Sequence, residues 1–112
     1  LLQRLSPLIA DRAGVVLVTS GAAGRAGYGA YAIAKAGLDA VGQMLREEWS
    51  GRGIRVVSVN PGPVRTAMRA EAHPGEDPAT VPPPRERVDP VLAVLCGEDP
   101  GPRVQATEWG LS

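Results

Sequence analysis

The chain has 112 residues, of which 44% are hydrophobic, and it contains no phenylalanine. A core of Val, Leu, Ile and Ala suits a parallel sheet covered by helices, so we expect one small α/β domain. Twelve basic residues balance twelve acidic ones, so the charge predicts neither a nucleic-acid partner nor an anionic membrane surface.

The cysteine count and the hydropathy indicate a cytoplasmic protein. The single Cys96 cannot form an internal disulfide. No export signal is recognisable, and no apolar run reaches the roughly 18 residues needed to span a membrane. We assign no residue to a metal site and expect no membrane partner.

The first two predicted elements are a broken helix and a strand. Residues 1–10 carry apolar residues at helical spacing, and Pro7 requires the helix to break or restart there. The run "GVVLVTS" at 14–20 is typical of a strand that is buried on both faces. The chain lacks an initiator methionine and begins like the end of a helix, so we expect it to be a fragment.

The next elements complete a βαβ unit. Apolar residues at 34, 38, 41, 45 and 49 define one face of a helix from Tyr31 to about Trp49. The glycines of "SGRG" suit a left-handed cap, and "IRVVSVN" at 54–60 predicts a second buried strand. The two strands should be parallel with a right-handed crossover. Ser20 and the segment that begins at Asn60 should therefore meet at one rim of the sheet.

The last third of the chain is rich in proline. We expect a loop over residues 73–87, followed by a short helix in "DPVLAVLCG". Asp89 would be the N-cap of this helix, Pro90 would lie in its first turn, and Gly97 would follow its end. The segment "VQATEW" is compatible with a third strand.

The stretch "SGAAGRAGYGAYAIAK" supports two hypotheses. Gly21, Gly24 and Gly27 follow a strand and precede a helix, as in a loop that binds phosphates. A dinucleotide fold, however, needs an acidic residue at the end of the next strand, where this chain has Asn60. In the second hypothesis these glycines only form turns.

The second hypothesis assigns the chemistry to Ser20, Tyr31 and Lys35. Tyr31 and Lys35 are four residues apart and share one helix face. A nearby ammonium lowers the tyrosine pKa from about 10 towards the range useful for proton exchange. A serine at the strand end can hydrogen-bond the reacting oxygen. Together they can protonate a carbonyl or deprotonate an alcohol.

Three features follow one another along the chain: a strand that ends in Ser20, the helix motif "YAIAK" and the strand end "NPGPVRT". In this order they resemble the catalytic half of the short-chain dehydrogenase/reductase family. The segment "VRTAMRAEAHPGEDP" further resembles the bacterial YciK-like branch. The resemblance implies a partial Rossmann-like, doubly wound parallel sheet, with the whole of residues 1–112 as the carboxyl-terminal half. The cofactor-binding first half would be absent.

The resemblance also implies an enzyme that uses NAD or NADP to reduce a carbonyl or oxidise an alcohol. Tyr31 would be the general acid/base, Lys35 would bind the nicotinamide ribose, and Ser20 would hold the substrate oxygen. The loop before Tyr31 is shorter than in most members, so either Ser20 or Gly21 occupies the serine position. Four residues would contact the cofactor: Pro61, Gly62, Val64 and Thr66.

The resemblance gives further expectations about substrate and partners. Residues 68–84 would form a mobile substrate loop over a small carbonyl or alcohol substrate. Arg25, Arg65 and Arg69 are candidates for an acidic substrate group or a cofactor phosphate, although solvated arginines are the alternative interpretation. The helix from Tyr31 to Trp49 would form a homo-oligomer interface. As an alternative function, the chain would be an inactive interaction module that pairs through this helix with an intact homologue.

Overall fold

The computed structural model describes residues 2–21, 24 and 26–110. Three parallel strands form one sheet in chain order. They are β1 (Gly14–Val18), β2 (Arg55–Asn60) and β3 (Arg103–Gln105). Gly14 pairs with Arg55 at the start of the sheet, and Asn60 pairs with Gln105 at its end. This arrangement confirms the predicted α/β fold with a partial Rossmann-like parallel sheet.

The described residues form four α-helices, which are α1 (Leu2–Leu5), α2 (Gly29–Glu48), α3 (Ala67–Ala72) and α4 (Asp89–Leu95). A 3-10 turn over Ser6–Leu8 follows α1 and confirms the predicted break at Pro7. Short 3-10 turns also connect several later elements. Within the described part of the chain, no helix is long and apolar enough to cross a membrane.

The two faces of the sheet bury separate apolar clusters, because side chains alternate along each strand. Val56 of β2 packs on the α2 side with Leu45, Trp49 and Ile54. Val57 of β2 points to the opposite face. The cluster there comprises Val57, Val59, Val94, Val104 and Ala106. Helices therefore cover both faces, which is the doubly wound arrangement.

Close packing fixes α2 on the sheet. A Cβ atom at Gly42 would lie 2.9 Å from Leu17 Cδ1 and 3.0 Å from Ser58 Oγ. These distances leave no room for a side chain, so glycine permits the helix to approach β1 and β2.

Arg46 fixes the carboxyl-terminal half of α2. Its Nη1 donates to the Val56 carbonyl oxygen at 2.8 Å, and its Nη2 contacts the Asp99 carboxylate at 2.9 Å. Burial raises the pKa of Asp99, but hydrogen bonds from Arg46 and the Gly101 N–H outweigh it. The pKa of Asp99 therefore lies below its usual value, and the pair joins α2, β2 and the segment before β3.

Several element predictions need correction. Helix α2 begins at Gly29 rather than Tyr31, and Ala34 is exposed although the apolar pattern placed it on the buried face. The strand β1 is only half-buried. Asp89 is the first residue of α4, and Val88 is its N-cap without a side-chain hydrogen bond.

The carboxyl-terminal half also differs from expectation. Helix α3 occupies the start of residues 68–84, the segment expected to form the substrate loop, because Thr66 caps its first turn. The third strand ends at Gln105, and Ala106–Glu108 form a 3-10 turn. Gly53 has φ +66° and forms the left-handed cap predicted within "SGRG", but it caps the 3-10 turn Ser50–Arg52, because the C-cap of α2 itself is Trp49.

Candidate active site

Helix α2 and strand β1 meet at Lys35. Its Nζ donates to the Val18 carbonyl oxygen at 3.2 Å, at the carboxyl end of β1. The same Nζ lies 5.7 Å from the centre of the Tyr31 ring. The Tyr31 side chain is 41% exposed, so its phenol remains accessible at the rim of the sheet. The two side chains are therefore neighbours on one face of α2, as their four-residue spacing predicted.

Ser20 lies on the same rim. The Thr19 N–H donates to the Val59 carbonyl oxygen at 2.9 Å, which continues the pairing of β1 with β2 to the residue before Ser20. A Cβ atom at Gly21 would lie 3.7 Å from Asn60 Nδ2. The ends of β1 and β2 are therefore neighbours, as the topology predicted. The half-buried Ser20 and the exposed Gly21 both remain candidates for the serine position.

The Pro61–Gly62 turn forms the adjacent part of the rim. The Gly62 N–H donates to Asn60 Oδ1 at 3.0 Å, and Gly62 adopts φ +71°. A Cβ atom here would lie 2.8 Å from Thr107 Cγ2. Glycine at this position therefore lets the turn adopt a left-handed conformation and pack against Thr107. Val64 follows and is half-buried.

Thr66 caps α3. Its Oγ1 accepts a hydrogen bond from the Arg69 N–H at 3.1 Å. This bond uses an acceptor site of the hydroxyl and leaves its hydrogen as a donor, because a hydroxyl both donates and accepts.

Two of the three candidate arginines have protein partners. Arg65 Nε donates to the Val81 carbonyl oxygen at 3.2 Å. Arg69 forms a two-point ion pair with Glu76. The hydrogen bond between them raises the pKa of Arg69 and lowers the pKa of Glu76. Arg25 lies outside the described residues.

The glycines of the opening stretch turn the chain into α2. Gly24, Gly27 and Gly29 have φ values of +70°, +91° and +55°. The Gly24 N–H donates to the Ala32 carbonyl oxygen at 3.1 Å. These positive φ values require glycine at the three positions. His, Cys, Asp and Glu side chains within the described ranges form no group suited to a metal ion.

Comparison with known proteins decides the family. The family model described as enoyl-(acyl carrier protein) reductase matches residues 1–81. The chain belongs to the short-chain dehydrogenase/reductase family. This short-chain dehydrogenase/reductase chain is 41% identical over 103 residues to the uncharacterised oxidoreductase YciK of Escherichia coli. The matched region covers 88% of the chain and 40% of YciK.

Solved structures agree with this assignment. A short chain dehydrogenase of Shigella flexneri, determined in complex with NADP, superimposes with a TM-score of 0.84 at 36% identity. The YciK structure gives a TM-score of 0.82 at 34% identity. These matches cover 95% and 94% of the present chain, but only 47% and 46% of the two structures. The chain thus spans less than half the length of these relatives.

Sequence reasoning missed two contacts around the rim of this short-chain dehydrogenase/reductase chain. Thr107 lies against Gly62, and Glu76 holds Arg69. The first contact joins residues distant in sequence, so no local pattern reveals it. The second has a weak signal, since Arg69 and Glu76 are opposite charges in the segment after the Pro-Gly turn.

Proposed function

We propose that the chain is the carboxyl-terminal, catalytic half of an NAD(P)-dependent oxidoreductase that reduces carbonyls or oxidises alcohols. The observation that carries this proposal is the position of Lys35. Its ammonium is held at the carboxyl end of β1 by the Val18 carbonyl and lies over the Tyr31 ring. In support of the proposal, the cation lies near the Tyr31 ring and at the end of the strand that precedes Ser20.

In the proposed reaction Tyr31 moves the proton. When a carbonyl is reduced, the Tyr31 hydroxyl donates its proton to the substrate oxygen, and in the reverse direction the phenolate takes it back. The Ser20 hydroxyl orients the substrate oxygen by a hydrogen bond and stabilises the charge that develops on it.

The rim residues fit a nicotinamide nucleoside. Lys35 has three N–H donors, of which one is used by Val18, so two are available for ribose hydroxyls. Pro61, Gly62 and Val64 would border the nicotinamide ring, and the Thr66 hydroxyl would donate to its carboxamide. When bound, the nicotinamide supplies or accepts the hydride.

Relatives support the choice of cofactor. The Shigella flexneri protein was determined with NADP, and a short chain dehydrogenase of Escherichia coli CFT073 was determined with NADPH. We infer that this chain works with NADP or NAD. The adenosine side of the cofactor would be bound by a segment equivalent to the part of these relatives that the chain does not span.

A surface of α2 supports the proposed pairing of two chains. Ile33 and Met44 are 76% and 59% exposed, and the exposed Gly37 and Ala40 lie between them. These four residues form one stripe along the helix, because they follow one another at steps of four, three and four. We call them the α2 stripe. It would serve a homo-oligomer, or the pairing with an intact homologue that the alternative function requires.

The proposal is tested at Lys35, which is the only lysine of the chain. Selective ¹³C labelling of lysine marks the Cε methylene group of Lys35 and leaves its three N–H donors and its charge unchanged. Nicotinamide mononucleotide then probes the nicotinamide side alone, and adenosine monophosphate is the matched control. We expect the mononucleotide, NADH and NADPH to shift the Lys35 Cε resonance in a saturable way. If it stays in place with all three, Lys35 does not bind the nicotinamide ribose.

A further inference from the structure

The segment from Arg65 to Pro82 is closed at its base. The Arg65 N–H donates to the Pro82 carbonyl oxygen at 2.8 Å, and Arg65 Nε donates to the Val81 carbonyl oxygen at 3.2 Å. Val81 itself is 5% exposed and anchors the second limb. One arginine thus joins the two ends of what we call the Arg65–Pro82 segment. A joined base lowers the entropy that the segment would otherwise retain.

An ion pair closes the same segment further out. Arg69 Nε lies 2.9 Å from Glu76 Oε1, and Arg69 Nη2 lies 2.7 Å from Glu76 Oε2. Both side chains are 28% exposed, so water screens the pair less than it would screen an extended surface pair. Two parallel charge-assisted bonds also fix the relative orientation of their partners. The pair therefore sets the shape of the segment between α3 and the turn that follows it.

The segment begins at the rim of the sheet. Arg65 follows the Pro61–Gly62 turn, which lies at the carboxyl end of β2. Thr66, which caps α3, belongs to the same segment. The ion pair therefore shapes a segment that starts beside the candidate site.

We propose that Arg69 is a positioning residue, which Glu76 orients so that the Arg65–Pro82 segment keeps its shape beside the Pro61–Gly62 turn at the rim. This inference rests on the proposed function. It predicts that the pair controls substrate binding rather than proton transfer, since neither side chain belongs to the Tyr31–Lys35 group.

The test compares Glu76→Gln with Glu71→Gln in the complete gene product. Glu71 is exposed on α3 and makes no ion pair with the described residues, so this control removes an equal charge. Glu76→Gln should raise KM for the carbonyl substrate about tenfold, the effect of losing a charged hydrogen bond, with kcat and NADPH affinity unchanged. The control should leave KM unchanged. The exchanged pair Arg69→Glu with Glu76→Arg should restore most of the loss in KM.

Hydrogen exchange separates this inference from the proposed function. Glu76→Gln should speed amide exchange across residues 66–82, and the exchanged pair should slow it again. The positioning role would be overturned if Glu76→Gln left KM unchanged or lowered kcat by as large a factor as it raised KM. It would also be overturned if the exchanged pair did not restore KM. If the unaltered gene product shows no carbonyl-dependent turnover, the proposed function fails and this role fails with it. Exchange would then still report whether the ion pair holds the segment.

Discussion

Gly62 shows how a single residue shapes the rim. Its φ of +71° lies in the left-handed region, where a residue with a Cβ atom is strained. In addition, Thr107 Cγ2 occupies the space that a Cβ atom would need. Both observations require glycine after Pro61, and they make the carboxyl-terminal turn around Thr107 a support for the candidate nicotinamide side.

We predict that Gly62→Ala lowers the free energy of unfolding by about 1–2 kcal/mol through backbone strain and by about 1–3 kcal/mol through overpacking. Adding Thr107→Ser removes the methyl group, so it should recover the loss of stability caused by overpacking but not the loss caused by backbone strain. Urea unfolding provides the measurement. Gly75→Ala is the matched control, because a Cβ atom there meets nothing within 4 Å. Equal stability of Gly62→Ala and Gly75→Ala would contradict this explanation.

Local spacing made some of these residues predictable. Tyr31 and Lys35 share a helix face at any tertiary arrangement, so their proximity follows from the sequence alone. Arg69 and Glu76 meet only because the chain reverses between them in the folded segment, so their spacing in the sequence does not predict the contact. The contact between Arg46 and Asp99 is unpredictable for the same reason. Side-chain pairs across a reversal depend on tertiary structure, which hydrophobic periodicity does not encode.

Among the elements, α2 has two distinct surfaces on opposite sides. One surface is buried against the sheet and comprises Ala32, Gly42 and Leu45. Its packing fixes the position of α2 on the sheet, and therefore the position of Tyr31 and Lys35 at the rim. The α2 stripe faces outwards. Strand and helix periodicity predicted β2 and α2 because both are long and regular. Helix α3 was missed because six residues are too few for a clear period, and its capping by Thr66 was the only local signal.

The α2 stripe leads to a prediction about association. Ile33→Glu with Met44→Glu places two charges on the stripe, so a dimer formed through it should dissociate to monomers. Sedimentation velocity over a range of concentrations measures this change. Leu92→Glu is the control, because Leu92 is an exposed apolar residue on α4, 52% accessible, outside the stripe. If the unaltered chain sediments as a monomer throughout, or if Leu92→Glu dissociates the dimer equally, α2 is not the interface.

At the scale of the whole molecule, the fold brings the candidate groups to one edge of a small sheet. Three parallel strands end at the rim where Ser20, Lys35 and the Pro61–Gly62 turn lie. Ligand binding at the carboxyl ends of strands is the rule for open α/β sheets. The chain spans 40% of YciK, so the proposed enzyme needs a further segment to bind the rest of the cofactor.

Tyr31→Phe in the complete gene product tests proton transfer most directly. The change removes one hydroxyl and keeps the ring that lies under Lys35, so folding and NADPH affinity should be retained. Carbonyl-dependent oxidation of NADPH, followed by absorbance over a panel of aldehydes and ketones, should fall by about 10²–10⁴-fold, the usual contribution of a general acid. Undiminished turnover by this variant, with NADPH still bound, would contradict the role of Tyr31 and the proposed mechanism.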